Sequence, residues 1–264
     1  MDYVSLSWFD LGMAALLIFI NGGLSVWLKL GLERTLFINT LRMLVQLAAI
    51  GFVLKFIFEQ SGPWWTFGWA LVMLLVAGYE IIARQTYRLE GLLAYGLGTL
   101  TLMVVGFTCT GFALGLLIAP EPWYAPRYLL PILGMMLGNS MTGIALGMET
   151  LSVAVKNGQA VIEGRLLMGA RRMEALQDYI QQALKSGMMP IINAMAASGI
   201  VSLPGMMTGQ IIAGVDPIDA TKYQLMIMFL IAGGTALGTT AGVFGTAYLL
   251  TDERHRLRAE RLQS

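Results

Sequence analysis

Long apolar runs separated by short polar stretches set the pattern of this 264-residue chain. A helix needs about 20 mostly apolar residues to cross the hydrocarbon core of a bilayer. Seven segments fit: Leu6–Leu28, Thr35–Phe58, Trp64–Ile82, Leu92–Ala119, Tyr128–Gly147, Met189–Ala213 and Leu225–Leu250. The fourth is longer than a bilayer requires and predicts either a tilt or a later start. The sixth holds Pro204-Gly205, a break or kink that is tolerated at membrane depth where backbone lines a cavity or is buried in protein. Trp64-Trp65, Trp69, Trp123-Tyr124 and Tyr128 fall at segment ends, as an aromatic belt does.

Between the fifth and sixth segments the pattern changes. From Met148 to Gly187 apolar residues recur at helical spacing: Val161, Ile162, Leu166, Leu167, Ala170, Met173, Leu176, Ile180 and Leu184. Arg165, Arg171, Glu174, Asp178 and Gln182 take the other faces. Gly169 divides the stretch, marking a bend between a short helix and a longer one. Such a stripe suits either the membrane surface or a docking partner. Gly214-Val215-Asp216-Pro217 and the residues up to Gln224 read as a short loop on the other side.

Composition agrees with the spans. The chain is 56% hydrophobic and only 12% charged, where a soluble domain has about 25% charged residues. A net charge of +1 offers no basic field for nucleic acid. With the N-terminus outside, thirteen of the 17 Lys and Arg residues lie on the inner side, four of them in the tail 251–264. Lys55, Arg127 and Lys222 lie outside, and Arg42 lies within a span. Positive residues favour the inside, so the chain is expected to run N-out, C-in. Met1-Asp2-Tyr3-Val4 lacks the positive start of a signal peptide, and the run after it is too long for one, which predicts an uncleaved first span. The expectation is an all-α, multi-pass protein with about seven transmembrane helices, forming a single transmembrane domain over 1–264.

Candidate chemistry is sparse. Cys109 is the one cysteine and His255 the one histidine, so neither an internal disulfide nor a Cys/His zinc site is available. Ser140 lies among small residues in Gly138-Asn139-Ser140-Met141-Thr142-Gly143, but a serine nucleophile needs a base beside it and His255 sits in the tail. That segment is expected to bring helices close, with Asn139 and Ser140 bonding across. An intramembrane charge is costly and should face protein or water. Arg42, with Gln46 one turn further on, either lines a polar pathway or snorkels and anchors a helix contact. Glu80 and Arg84 are spaced as a structural pair near the interface. The 18 methionines include Met206-Met207 beside the helix break; thioethers suit soft metals, yet methionine is more often adaptable packing. No lysine follows a glycine, so the chain has no Walker A loop, and any ATP that drives it is bound by another subunit.

Several motifs carry a resemblance. Arg42-Met43-Leu44-Val45-Gln46-Leu47, Pro131-Ile132-Leu133-Gly134-Met135-Met136 with Gly138-Asn139, Ser202 through Gly209, and Asp216-Pro217 with Ala220 and Lys222-Tyr223-Gln224 are similar to the FetB family. These are bacterial iron-export ABC permeases with plant relatives tied to aluminium tolerance, and the similarity runs from about residue 20 to 250. Glu163, with Gly169 and Ala170 after it, resembles the E-A-A-x-x-x-G coupling loop of ABC permeases, although Gly164 and Arg165 replace its two alanines and its I-x-L-P ending is absent.

The resemblance implies a permease of the bacterial inner membrane that is not itself an enzyme and carries no cofactor. A separate ATP-binding subunit would hold ATP and Mg, with two copies of each chain. Iron export and relief of peroxide stress are the activity it implies. Glu163, Gly169 and Ala170 would then couple to the ATPase, and Arg42, Gln46, Asn139, Met206 and Met207 would lie near the pathway. The alternatives are an ion-driven carrier of a small solute, or an ABC permease for non-metal cargo such as a nucleotide sugar.

Overall fold

The computed structural model describes residues 7–60, 62–89, 92–252 and 254–263. Leu6, where the first expected segment begins, lies outside them. The described chain is almost entirely helical. Six of its helices are long and apolar enough to cross a membrane. It divides into two compact units, one ending at Gln60 and one starting at Ser61.

The first unit is a hairpin of α1 (Trp8–Trp27) and α2 (Glu33–Gln60). A capping box starts α1: the Ser7 N–H donates to the Asp10 carboxylate at 2.8 Å, and the Asp10 N–H donates to the Ser7 hydroxyl at 3.3 Å. The turn between the helices is held by Ser25, which is buried, donates to Glu33 at 3.0 Å and accepts from the Leu32 N–H at 3.0 Å. Phe19, Leu41 and Phe52 are exposed, so apolar side chains cover the outside of both helices. Such a surface is stable against lipid rather than water.

The second unit is a bundle around α5 (Pro126–Asn157), with α3 (Pro63–Ala83), α4 (Leu92–Phe112), α7 (Arg172–Ala197) and α9 (Pro217–Leu249) packed around it. Pro at the first position of α3, α5 and α9 suits a helix start, because the N–H it lacks would have had no partner there. One π-helical turn, Ala113–Ile118, extends α4. Gly234 lies against Met136, and Gly242 against Ile144 and Met148, so α9 runs parallel to α5. Gly187 faces Gly143 and Gly147 faces the Ala183 carbonyl, so α7 runs antiparallel to both. At one end of the bundle Trp123 packs tilted against Phe67 and edge-on against Tyr124, with ring centroids 5.7 and 5.9 Å apart.

Two sequence boundaries need correction. The segment Met189–Ala213 is not one span. Met189–Ala197 is the tail of α7, residues 198–204 form a turn, and Gly205–Ile212 form a separate helix, α8. Pro190 is accommodated within α7; the break comes at Gly199, whose φ of +91° suits glycine, and at Pro204. The stretch Met148–Gly187 is helical, as its spacing predicts, but both of its ends belong to long helices. α5 continues to Asn157, α6 covers Gln159–Leu167, and α7 starts at Arg172. The bend at Gly169 and the short-then-long helix pattern are borne out, with Gly169 at φ +94°.

The greater part of the amphipathic stripe of this region packs on protein. Ile162, Ala175, Leu176, Ile180 and Ala183 join Leu151, Val155, Val243, Ala247 and Leu250 in one buried cluster. At 1.5 Å per residue the 32 residues of α5 span about 48 Å, well beyond a hydrocarbon core of about 30 Å. Crossing near the normal, the helix extends past that core, and at its C-terminal half the cluster and the elbow described below form a folded base.

Candidate functional site

The base presents an elbow built from α6 and the start of α7. Gly158 ends α5, its N–H donating to the Ala154 carbonyl at 2.9 Å while its Cα lies against the Tyr179 ring. One turn later Ile162 is fully buried in the cluster, which fixes α6 on the base. Glu163 points outward and accepts from the Gln159 side-chain amide at 2.8 Å. The chain then turns at Gly169 and restarts. The Ala170 N–H donates to the Arg165 carbonyl at 3.1 Å, and the Arg171 N–H donates to the Glu174 carboxylate at 2.9 Å. Arg165 spans the elbow, donating to the Ala175 carbonyl at 3.4 Å and pairing with Asp178 at 2.9 Å.

The tip stands out chemically. Leu167 is 89% exposed and Met168 is 83% exposed, on an elbow whose other side is locked into the cluster. The three expected coupling residues, Glu163, Gly169 and Ala170, flank these two. Leu167 belongs to the apolar stripe of the sequence, and next to the turn at Gly169 that part of the stripe stays exposed. Neither residue could have been singled out from spacing, because the exposure depends on how the elbow folds.

The expected pathway residues fall in both units. Arg42 and Gln46 are exposed on α2 of the first unit. Asn139 donates to the Met135 carbonyl of its own helix at 2.8 Å, and the buried Ser140 hydroxyl has no hydrogen-bond partner. The expected cross-helix bonds from these two are therefore not made. Close approach does occur, one turn along: a Cβ on Gly143 would lie 2.6 Å from Thr235 Cγ2 and 2.9 Å from the Gly187 carbonyl oxygen. Met207 contacts the Thr221 hydroxyl of α9 at 4.0 Å, placing it on the far side of the break. Arg84 pairs with Glu80 at 3.9 Å, as expected, and reaches Thr142 of α5 at 3.5 Å. Among the described residues, no three His, Cys, Asp or Glu side chains group as metal ligands.

Residues 8–249 match the family model described as Uncharacterised protein family (UPF0014). The chain belongs to that family. Among its relatives, the UPF0014 membrane protein YjkA of Bacillus subtilis is 35% identical over 90% of each chain. A protein of Escherichia coli named probable iron export permease protein FetB is 29% identical over 96% of each chain. ALUMINUM SENSITIVE 3 of Arabidopsis thaliana is 33% identical over 82% of this chain and 77% of its own. No solved structure matches. With the family, the six apolar helices identify a multi-pass membrane protein.

Proposed function

We propose that the chain is the membrane-spanning permease subunit of an ATP-driven exporter, carrying iron or another metal ion. ATP is hydrolysed by a separate subunit that seats on the α6–α7 elbow, and two chains of each kind assemble in the inner membrane, elbows facing the cytoplasm. The observation that carries this reading is the elbow. A rigid base held outside the bilayer offers an exposed apolar pair, Leu167 and Met168, which a soluble partner can cover. The iron-export name of the Escherichia coli relative supports the cargo class.

The base couples directly to the bundle. α6 packs on α5 and α7, and Ile162 shares a buried cluster with Val243 and Ala247 of α9, so a push on the elbow is passed into that cluster. The test is capture of the tagged chain from native membranes in mild detergent, followed by mass spectrometry. A stoichiometric partner with a Walker A loop is expected, and the complex should hydrolyse ATP faster with iron. A chain that comes out alone, while a known two-subunit transporter stays intact, overturns the reading and points to an ion-driven carrier.

A further inference from the structure

The tail has a structure that its charge pattern does not suggest. After α9 the chain turns back. Asp252 organises the turn, accepting from the Arg254 and Arg256 N–H groups at 3.0 and 2.9 Å and from Arg256 Nε at 2.9 Å. The segment then fastens itself to three different places. On α9, the Arg258 N–H donates to the Leu250 carbonyl at 2.8 Å, and the Arg261 guanidinium donates to the Leu249 carbonyl at 2.7 Å. At the start of α7, the Arg172 N–H donates to His255 Nδ1 at 3.3 Å, while its guanidinium stands 4.8 Å from the Tyr248 ring. At the α3–α4 connection, a strand β1 (Arg88–Leu89) pairs antiparallel with β2 (Leu262–Gln263), Leu89 opposite Leu262.

Leu89 and Leu262 are each 5% exposed and belong to the same buried cluster as Ile162 of α6. A tail serving only solubility would keep its apolar residues few and its backbone solvated. This one buries Leu262 between the α3–α4 connection and the base beneath the elbow. The α3 side is also tied to α5, through the Thr86 N–H, which donates to Glu149 at 2.8 Å.

We propose that residues 250–263 are a strap that makes the α3–α4 connection and the α6–α7 elbow move as one body, with Leu262 as its positioning residue. This rests on the coupling role of the elbow, and it extends the push from α5, α7 and α9 to α3 and α4. Without the strap, the elbow still binds its partner, but the movement no longer reaches the α3–α4 pair.

The test uses the full chain in lipid nanodiscs, with Leu262→Asp and the conservative Leu262→Val. Hydrogen exchange is read by mass spectrometry at residues 159–171 and at Arg88–Leu89. Exchange at both places is expected to rise about tenfold in Leu262→Asp and to stay at the native rate in Leu262→Val. Acceleration confined to the tail, or spread evenly through α4 and α5, overturns the strap. A second variant, Leu89→Cys with Leu262→Cys in a Cys109→Ala background, guards against simple misfolding. Reduced, it should loosen the elbow; oxidised, the cross-strand disulfide should restore it, and failure to do so overturns the proposal. These readouts need no ATPase, so they stand or fall apart from the proposed function. In cells challenged with iron, Leu262→Asp should lower export at least about fivefold while the captured complex still hydrolyses ATP; unchanged export overturns the transmission role.

Discussion

The two ends of α7 carry the same backbone feature and are used in opposite ways. Gly169 precedes the helix at φ +94° and Gly199 follows it at φ +91°. At the first end, Ala175, Leu176 and Ile180 are buried, Arg165 spans the turn to Asp178, and the tail fastens on Arg172. At the second, Ile200 is 95% exposed, Val201 is 82% exposed, and the turn is closed mainly by its own backbone, the Gly199 N–H donating to the Ser202 carbonyl at 2.9 Å. Between them Gly187 presses on Gly143. The helix is thus anchored at one end, pinned in the middle and loose at the other. This is the mechanical order a lever needs if force enters at the elbow and displacement emerges at the α7–α8 break.

The largest effect is expected at the pin. Gly143→Leu must displace the Gly187 backbone and two threonines, and should cost about 3 kcal/mol or more, read as early thermal unfolding in detergent. Gly138→Leu, on the same helix but with open space around it, should change stability by no more than about 0.5 kcal/mol. Similar losses at the two positions would remove the pin from the comparison.

A smaller, more pointed effect separates the two ends. A Cβ at either positive-φ glycine meets no neighbour, so valine there brings chiefly backbone strain of about 1–2 kcal/mol. Gly169→Val should leave the protein inserted but uncouple ATP hydrolysis from export, whereas the loose turn around Gly199→Val should relax and keep most export. Normal export in the Gly169 variant would remove the elbow from the mechanism.

The smallest effect concerns acid. The backbone N–H of Arg256, before any other cause, holds the Asp252 carboxyl below the ordinary carboxylate range. Its contribution to the tail is therefore complete above about pH 4 and is lost as the pH falls through the lowered value. Exchange protection of the tail and elbow should decline on that descent while the turn at 198–204 is unaffected, and Asp252→Asn should erase the step.

Much of this architecture was legible in the chain. Apolar runs mark the bilayer-crossing helices because lipid demands them all along their length, and Gly169 announces the bend because few residues reach that φ. The extension of α5 to Asn157 was hidden, since hydropathy reports membrane thickness and falls silent where a helix enters water. The stripe over Val161–Leu184 told of burial but not of its partner, which turned out to be α5, α9 and the tail. The segment Gly138–Gly143 does bring helices close, at Gly143, while Asn139 and Ser140 make no bond across because small polar residues signal proximity without fixing partners. A two-residue pairing such as Leu89 with Leu262 leaves no periodicity to read.

That pairing also sets an order of manufacture. β1 leaves the ribosome between the third and fourth long helices, and β2 only after α9. While the chain grows, Leu89 and the floor beneath α6 wait for a partner not yet translated. The elbow is therefore finished late, after every long helix is already made, and an incomplete chain presents an elbow whose base is not yet closed.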